Sequence, residues 1–236
     1  MTGREEFVYQ VFQKIADGYD RANRRISLGA DLRWKKSAAV LLCESLPVRP
    51  EVLDIGCGTG DMLRILSGLR PDARLTGLDF SLNMLEAAKE TCGAIPNLCL
   101  LQGNAMRLPF EDDRFDGISI SFALRNMADY GQVLREAVRV LRPGGKLAVI
   151  DSFVPQTKVV KPFYRLYFSG IMPFLGGGLR RHREYRWLSR STKEFVTADE
   201  LCAMMERAGL RALQRRSFMF GACVCAAGIK YNSRAR

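Results

Sequence analysis

Residues 52–60 read Val-Leu-Asp-Ile-Gly-Cys-Gly-Thr-Gly, an apolar strand that runs straight into glycines at 56, 58 and 60. Glycine at alternate positions suits a backbone that must turn sharply and let a ligand approach with no Cβ in the way. The first N–H groups of a helix following such a turn lack partners within the helix and point at whatever occupies the turn. A second apolar segment, Leu75-Thr76-Gly77-Leu78, ends at Asp79, nineteen residues after Gly60. A strand, a glycine turn, a helix, a strand and an acid make up a nucleoside-binding α/β unit, with the acid placed to accept from ribose hydroxyls.

The position after Gly60 separates the candidate ligands. A dinucleotide fingerprint needs its third glycine one place later, where this chain has Asp61. A carboxylate there would repel a pyrophosphate but suits the cationic amino group and sulfonium of S-adenosylmethionine. Asp54, Gly56, Gly58, Gly60, Asp61 and Asp79, with the adjacent Phe80, are therefore expected to form a pocket for that cofactor. A tight strand-to-helix turn without a ligand is the alternative, and three aspartates in register argue against it.

The pattern before and after this unit defines the architecture. Residues 5–46 carry apolar positions at helical spacing (Phe7, Val11 and Ile15, then Ala38 to Leu42) up to Pro47. Strands are expected at 51–55, 74–79, 97–102, 115–121 and 146–151, and helices at 60–69, 81–91 and 129–141. Ser81 is an N-cap, and Arg142-Pro143-Gly144-Gly145 stops the third helix. A helix over 198–209 and strands near 211–217 and 221–229 complete the chain. Such alternation makes a mostly parallel sheet covered on both faces. Residues 152–196 break the rhythm with Phe153, Phe163, Tyr167 and other aromatics, a Gly176-Gly177-Gly178 hinge and a basic stretch. An insertion after a strand's C-terminal end lies where open α/β sheets bind ligands, so it is read as a substrate lid, with a homodimer contact as the alternative. The chain is thus one domain: a helical cap over 1–46, a cofactor-binding core over 47–151, the lid, and a C-terminal helix and strands over 197–236.

Composition excludes several classes. The start is charged, no apolar signal core follows it, and no stretch approaches the ~18 uninterrupted apolar residues of a membrane span. The seven cysteines include no Cys-x-x-Cys, and His182 is the sole histidine, which argues for a reducing cytoplasm and against a metal site or disulfide framework. Cys223 and Cys225 are read as small core residues on one face of a strand. The formal charge of +11 gathers at Arg21, Arg24, Arg25 and Arg33 to Lys36, at Arg180 to Arg190, and at Arg211, Arg215 and Arg216. An anionic membrane surface suits these clusters better than nucleic acid, since no RNA-recognition module accompanies them.

Other segments carry a more selective signal. These are Val11-Phe12-x-x-Ile15-Ala16-x-x-Tyr19-Asp20-x-x-Asn23, Ser27-x-Gly29, Trp34-Lys35, Asn104-Ala105-x-x-Leu108-Pro109-Phe110, Ser121-Phe122-x-x-Arg125-Asn126 and Tyr185-x-Trp187-Leu188. In these the chain closely resembles the ubiquinone/menaquinone biosynthesis C-methyltransferases, with Asp31 where many members have His. The resemblance implies a Rossmann-like class I methyltransferase fold with a seven-stranded sheet, and methylation of a ring carbon on a polyprenylated quinol. Demethylmenaquinol to menaquinol is the simplest such reaction, and the benzoquinol step of ubiquinone synthesis is its variant. A small-molecule methyltransferase of secondary metabolism and an RNA methyltransferase are the alternatives on the same fold. The resemblance also implies cofactor contacts at Thr59, Asp79, Asn104, Ala105 and Ser121.

Ring methylation needs a stabiliser for the quinolate oxygen. Arg125 is expected in that role, directly or by ordering a water that takes the proton, with Asn126 and Tyr19 hydrogen-bonding the quinol oxygens and Phe122, Phe163 and Tyr167 lining the substrate site; a loop salt bridge from Arg125 to Asp129 is the alternative. A polyprenyl substrate would bring the enzyme to the inner face of the cell membrane as a peripheral protein.

Overall fold

The computed structural model describes residues 3–15, 19–27, 29–157, 160 and 190–231. Seven strands, β1 (Glu51–Ile55), β2 (Arg74–Asp79), β3 (Leu98–Gln102), β4 (Phe115–Ser121), β5 (Leu141–Ser152), β6 (Leu210–Phe218) and β7 (Cys223–Lys230), form one sheet. Their order is β3-β2-β1-β4-β5-β7-β6. The first five run parallel, and β7 inserts antiparallel between β5 and β6. Helices α1 (Gly3–Ile15), α2 (Tyr19–Ile26) and α3 (Ala30–Cys43) precede the sheet. Helices α4 (Asp61–Leu69), α5 (Leu82–Cys92), α6 (Tyr130–Val140) and α7 (Ala198–Arg207) connect its strands.

The two faces of each central strand belong to two separate cores, as the alternation of side chains along a strand requires. Leu53, Ile55, Ile118, Ile120, Leu147 and Val149 pack with Val133, Leu134 and Ala137 of α6 and with Leu201 and Met205 of α7. Val52, Ala148 and Ile150 pack on the other face with Leu41 and Leu42 of α3 and Leu63 and Leu66 of α4. Cys223, Cys225 and Ala227 join this second core, so both thiols lie on one face as small apolar groups, and burial pushes the Cys225 thiol up to about 12.

Strands and helices of the core fall within a few residues of their sequence-predicted bounds, and Ser81 caps α5 by accepting from Met84 N–H at 3.3 Å. Two differences have physical causes. β5 begins at Leu141, five residues before expectation, because Leu141 is already extended where it ends α6 and pairs with Phe115; the register then shifts across the Gly144 turn. The N-terminal region is three helices, and Gly29, at φ 76°, provides the left-handed joint between α2 and α3. In the insertion, Phe153 is buried against Phe195 at a centroid distance of 5.2 Å and belongs to the core. Phe163, Tyr167 and the glycine hinge lie outside the described residues. Among the described residues no helix is long and apolar enough to cross a membrane.

Candidate active site

Strand order reverses between β1 and β4, and the crevice at their C-terminal ends is where such sheets bind ligands. A cleft of about 1120 Å³, open to solvent, occupies this position. Its floor is the glycine turn, at φ 70° for Gly56, 54° for Gly58 and 88° for Gly60. A Cβ on Gly56 would stand 2.6 Å from the Ala123 Cβ, and one on Gly60 would stand 2.3 Å from Cys92 Sγ. At Gly58 a Cβ would meet no atom within 4 Å, because that position faces the open cleft.

Neighbouring segments clamp the turn. Asp79 at the end of β2 accepts from Gly58 N–H at 2.8 Å and from Ser81 N–H at 2.9 Å. Thr91 Oγ1 donates to the Thr59 carbonyl at 2.6 Å, and Thr59 Oγ1 donates to Asp20 Oδ1 of α2, also at 2.6 Å. The roof is α1 and α2, which contribute Tyr9, Phe12, Tyr19 and Asn23. Gln13 pins this roof: its backbone carbonyl accepts from Asn83 Nδ2 at 2.9 Å, and its Oε1 accepts from Asn83 N–H at 3.1 Å. The Tyr9 ring stands edge-on to Phe80, with centroids 5.2 Å apart.

The three aspartates of the turn have different surroundings. Asp54, 1% exposed, accepts from Ser119 Oγ at 2.6 Å through Oδ1, while its buried Oδ2 has no partner. Burial lifts its carboxyl to about 7, with the Ser119 hydrogen bond and Lys35 pulling down and Asp79 adding to the rise. Burial also raises Asp79, against the N–H groups of Ser81, Gly58 and Phe80. Asp61 follows another course. The loop spacing points it at a cationic ligand, yet Lys35 Nζ donates to its Oδ2 at 2.8 Å and Arg64 pairs with its Oδ1. Burial pushes Asp61 upward, but these two cations leave it below the usual carboxylate range. Its charge is neutralised inside the protein, and the open oxygen in the cleft is that of Asp54.

At the other wall β4 ends in Ser121, whose buried Oγ has no partner, and Phe122, whose φ of 54° is unusual for an aromatic residue. The Phe122 carbonyl accepts from Arg125 Nη1 at 3.0 Å and from Asn126 Nδ2 at 3.5 Å. Asn126 borders the cleft, and its buried Oδ1 has no partner. Arg125 is placed differently from its neighbours Phe122 and Asn126. Its guanidinium lies off the cleft and pairs with the fully buried Asp151 at the end of β5, while its backbone N–H donates to the other Asp151 oxygen at 3.1 Å. A buried guanidinium has to be paired, and Asp151 supplies the partner, while Asp129 caps α6 by accepting from Gln132 N–H. Tyr19, Phe122, Asn104 and Ala105 all border the cleft, with Asn104 Oδ1 accepting from Met106 N–H at 2.9 Å.

Sequence reasoning quoted Asp20 and Lys35 within selective segments without giving either a role, and it passed over Asp151. Lys35 had a detectable signal: Asp31, Lys35, Ala38, Ala39 and Leu42 form one helical stripe, and all five are buried.

The model of the ubiE/COQ5 methyltransferase family matches residues 1–230. The chain belongs to that family. Relatives named demethylmenaquinone methyltransferase include one from Listeria monocytogenes serotype 4a, 40% identical over 96% of this chain and 97% of its own. Those of Bacillus mycoides, 40% identical over 98% of each chain, and Staphylococcus haemolyticus, 39% identical over 100% of this chain and 98% of its own, are alike in extent. Among solved structures, a SAM-dependent methyltransferase of Thermotoga maritima superposes with a TM-score of 0.66 at 20% identity, covering 94% of this chain and 99% of that one. A Haemonchus contortus N-methyltransferase solved with S-adenosylhomocysteine gives 0.64 at 14% identity over 84% of this chain and 52% of that one. Both show the class I methyltransferase fold.

This methyltransferase depends on S-adenosylmethionine, and its cleft fits that donor. Asp54 Oδ2 and Ser121 Oγ are buried and unpartnered at its floor and wall, and Gly58 leaves a cradle that any Cβ would fill. The acidic acceptors suit a cationic ligand.

Proposed function

We propose that this methyltransferase acts on a ring carbon of a polyprenylated quinol, converting demethylmenaquinol to menaquinol. The observation that carries the reading is the near full-length likeness to relatives named for that activity. The cleft is consistent with it, since Phe12, Tyr19, Phe122 and Met127 give a largely apolar wall beside the polar floor.

S-adenosylmethionine supplies a methyl group already bonded to a cationic sulfur, so the donor arrives activated. The residues that would hold it are Asp79, Phe80, Asn104 and Ala105 toward the nucleoside and Asp54, Thr59 and Ser121 toward the amino-acid end. The protein's remaining task is to orient the acceptor and favour loss of its hydroxyl proton to solvent in the open cleft, which makes the adjacent carbon nucleophilic; once methylated, that carbon sheds its own proton and the ring is restored. Asn126, with its open Oδ1, accepts a hydrogen bond from the quinol hydroxyl, and Tyr19 bonds the second oxygen. Arg125 is a positioning residue: through the Phe122 carbonyl and Asp151 it holds the strained turn that presents Phe122 and Asn126.

A polyprenyl tail has to reach the cleft from a bilayer. Arg21, Arg24, Arg25, Arg33 and Lys36 are all exposed on α2 and α3, flanking the Tyr19 and Asn23 that border the cleft. The Arg215 and Arg216 cluster is instead paired with Asp199 and Glu44. The α2–α3 face is thus the surface that meets anionic lipid, from the cytoplasmic side.

Mass analysis of quinones from cells lacking the gene tests the reaction. A quinone one methyl short should accumulate, and whether it is a naphthoquinone or a benzoquinone identifies the ring. An unchanged quinone profile, with label from purified enzyme appearing in RNA instead, would overturn the reading.

A further inference from the structure

We infer that Lys35 is the anchor for the carboxylate of the donor's amino-acid end, paired with Asp54 as the acceptor for its ammonium; this rests on the donor assignment made above.

Lys35 is 7% exposed and borders the cleft, yet its ammonium donates to Asp61 alone among the described residues. A lysine ammonium carries three donors, and leaving two unused in a buried position is unfavourable. Asp61 is the first residue of α4 and directly follows the glycine turn, so the ammonium sits at the end of the cleft where the N–H groups of α4 begin. Asp61 is also paired with Arg64, so the cluster of Lys35, Arg64 and Asp61 carries one net positive charge. The Phe122 ring lies 5.9 Å from the Lys35 nitrogen and helps to hold it in place.

Asp54, which also lines the cleft and is near enough to Lys35 for that charge to pull its carboxyl down, presents a buried, unpartnered Oδ2. A buried cation with unused donors beside a buried acceptor with an unused lone pair is complementary to an α-amino-acid zwitterion. The acidic neighbours Asp61 and Asp31, together with Tyr19, keep the ammonium charged against the opposing effect of its burial.

Calorimetry with S-adenosylmethionine and with its decarboxylated analogue tests the assignment on wild type, Lys35→Met and Lys35→Arg. Lys35→Met should bind S-adenosylmethionine about tenfold or more weakly, as loss of a charge-assisted hydrogen bond predicts, and bind the decarboxylated analogue as wild type does. Lys35→Arg should retain most of the preference for the carboxylate. Because Lys35→Met leaves Asp61 with one partner fewer, the double variant Lys35→Met/Asp61→Asn is measured as well and should show the same loss of preference. Unchanged affinity for S-adenosylmethionine in Lys35→Met, or equal loss for both ligands in the single and double variants, would overturn the assignment. Wild type that binds neither ligand would instead remove the donor assignment on which it rests.

Discussion

Thr59 Oγ1 donates to Asp20 Oδ1 at 2.6 Å, joining two residues thirty-nine positions apart in the chain. This bond ties the helix that roofs the cleft to the glycine turn that floors it. Thr59 is buried within the floor of the cleft, and removing Asp20 takes away the acceptor to which its hydroxyl donates. Asp20→Ala should therefore loosen the roof without disturbing the sheet. We expect affinity for S-adenosylmethionine to fall by about fivefold to tenfold, corresponding to roughly 1 kcal/mol for a hydrogen bond. The urea midpoint should move little. Calorimetry and urea titration on the same preparation measure both, and a large drop in midpoint would show that the bond supports the fold instead.

Asp54 makes stability depend on pH in a direction opposite to that of a salt-bridged carboxylate. In the unfolded chain it ionises near pH ~4, whereas burial holds it protonated to about 7 in the folded protein. Between those values the folded state binds the extra proton, so its contribution to stability is greatest below pH ~4, declines as pH rises through the window, and is level above it. Asp54→Asn should flatten that decline, read as the difference between variant and wild type in urea unfolding from pH 4 to pH 8. Donor binding should show the reverse sign, tightening toward pH 8 because a cationic amino group needs the ionised carboxylate. Proton release on binding near neutral pH, measured by calorimetry in buffers of different ionisation enthalpy, should disappear in Asp54→Asn.

Much of this site was legible before the structure, for reasons that separate local from non-local information. The glycine turn, Asp79 and the strand alternation are recorded in contiguous residues, because each reflects a backbone requirement or a side-chain period. Asp20, Lys35 and Asp151 act through partners 39, 26 and 26 residues away, and no local period encodes such pairings. The same holds for the direction of Arg125. Its sequence neighbours Phe122 and Asn126 do face the cleft, but its own direction is decided by a buried acid on the adjacent strand. Asp61 likewise fits a cationic ligand by spacing and is claimed by Lys35 from α3.

The Arg125–Asp151 pair should behave as a buried ion pair. Asp151 is fully buried and receives both the guanidinium and the backbone N–H of Arg125. Removing one partner strands the other charge, and Arg125→Met or Asp151→Asn alone should each cost about 3–5 kcal/mol. The double variant should recover about half or more of the summed loss, since two neutral groups of similar size need no counter-charge. Denaturant unfolding of the three variants supplies the cycle. Additive losses would show that the residues act separately.

Membrane attachment should depend on the α2–α3 face. Each near-surface Lys or Arg contributes about 1 kcal/mol toward anionic lipid at physiological ionic strength. Replacing Arg21, Arg24, Arg25 and Arg33 by Ser should abolish co-sedimentation with vesicles containing phosphatidylglycerol, whereas Arg215→Ser, already paired with Asp199, should leave it unchanged. Neutral vesicles should bind neither, and rising salt should release the wild type. Salt-insensitive binding would place the contact elsewhere.

Gly58 and Gly60 look alike in sequence but should fail differently when a methyl group is added. Both have positive φ, at 54° and 88°, so alanine carries a backbone penalty of roughly 1 kcal/mol at either position. At Gly60 the new Cβ would also stand 2.3 Å from Cys92 Sγ, a buried atom that donates to the Gly60 carbonyl, so α5 has to move. Gly60→Ala should lower stability by about 2–4 kcal/mol in total, the added part being the usual range for overpacking. At Gly58 the Cβ enters open cleft and meets no protein atom within 4 Å. Gly58→Ala should therefore keep most of its stability and lose donor affinity, because the methyl group occupies space that the ligand needs. Thermal unfolding with and without S-adenosylmethionine separates the two: Gly60→Ala should melt lower in both conditions, and Gly58→Ala should melt near wild type without ligand and gain little from its addition.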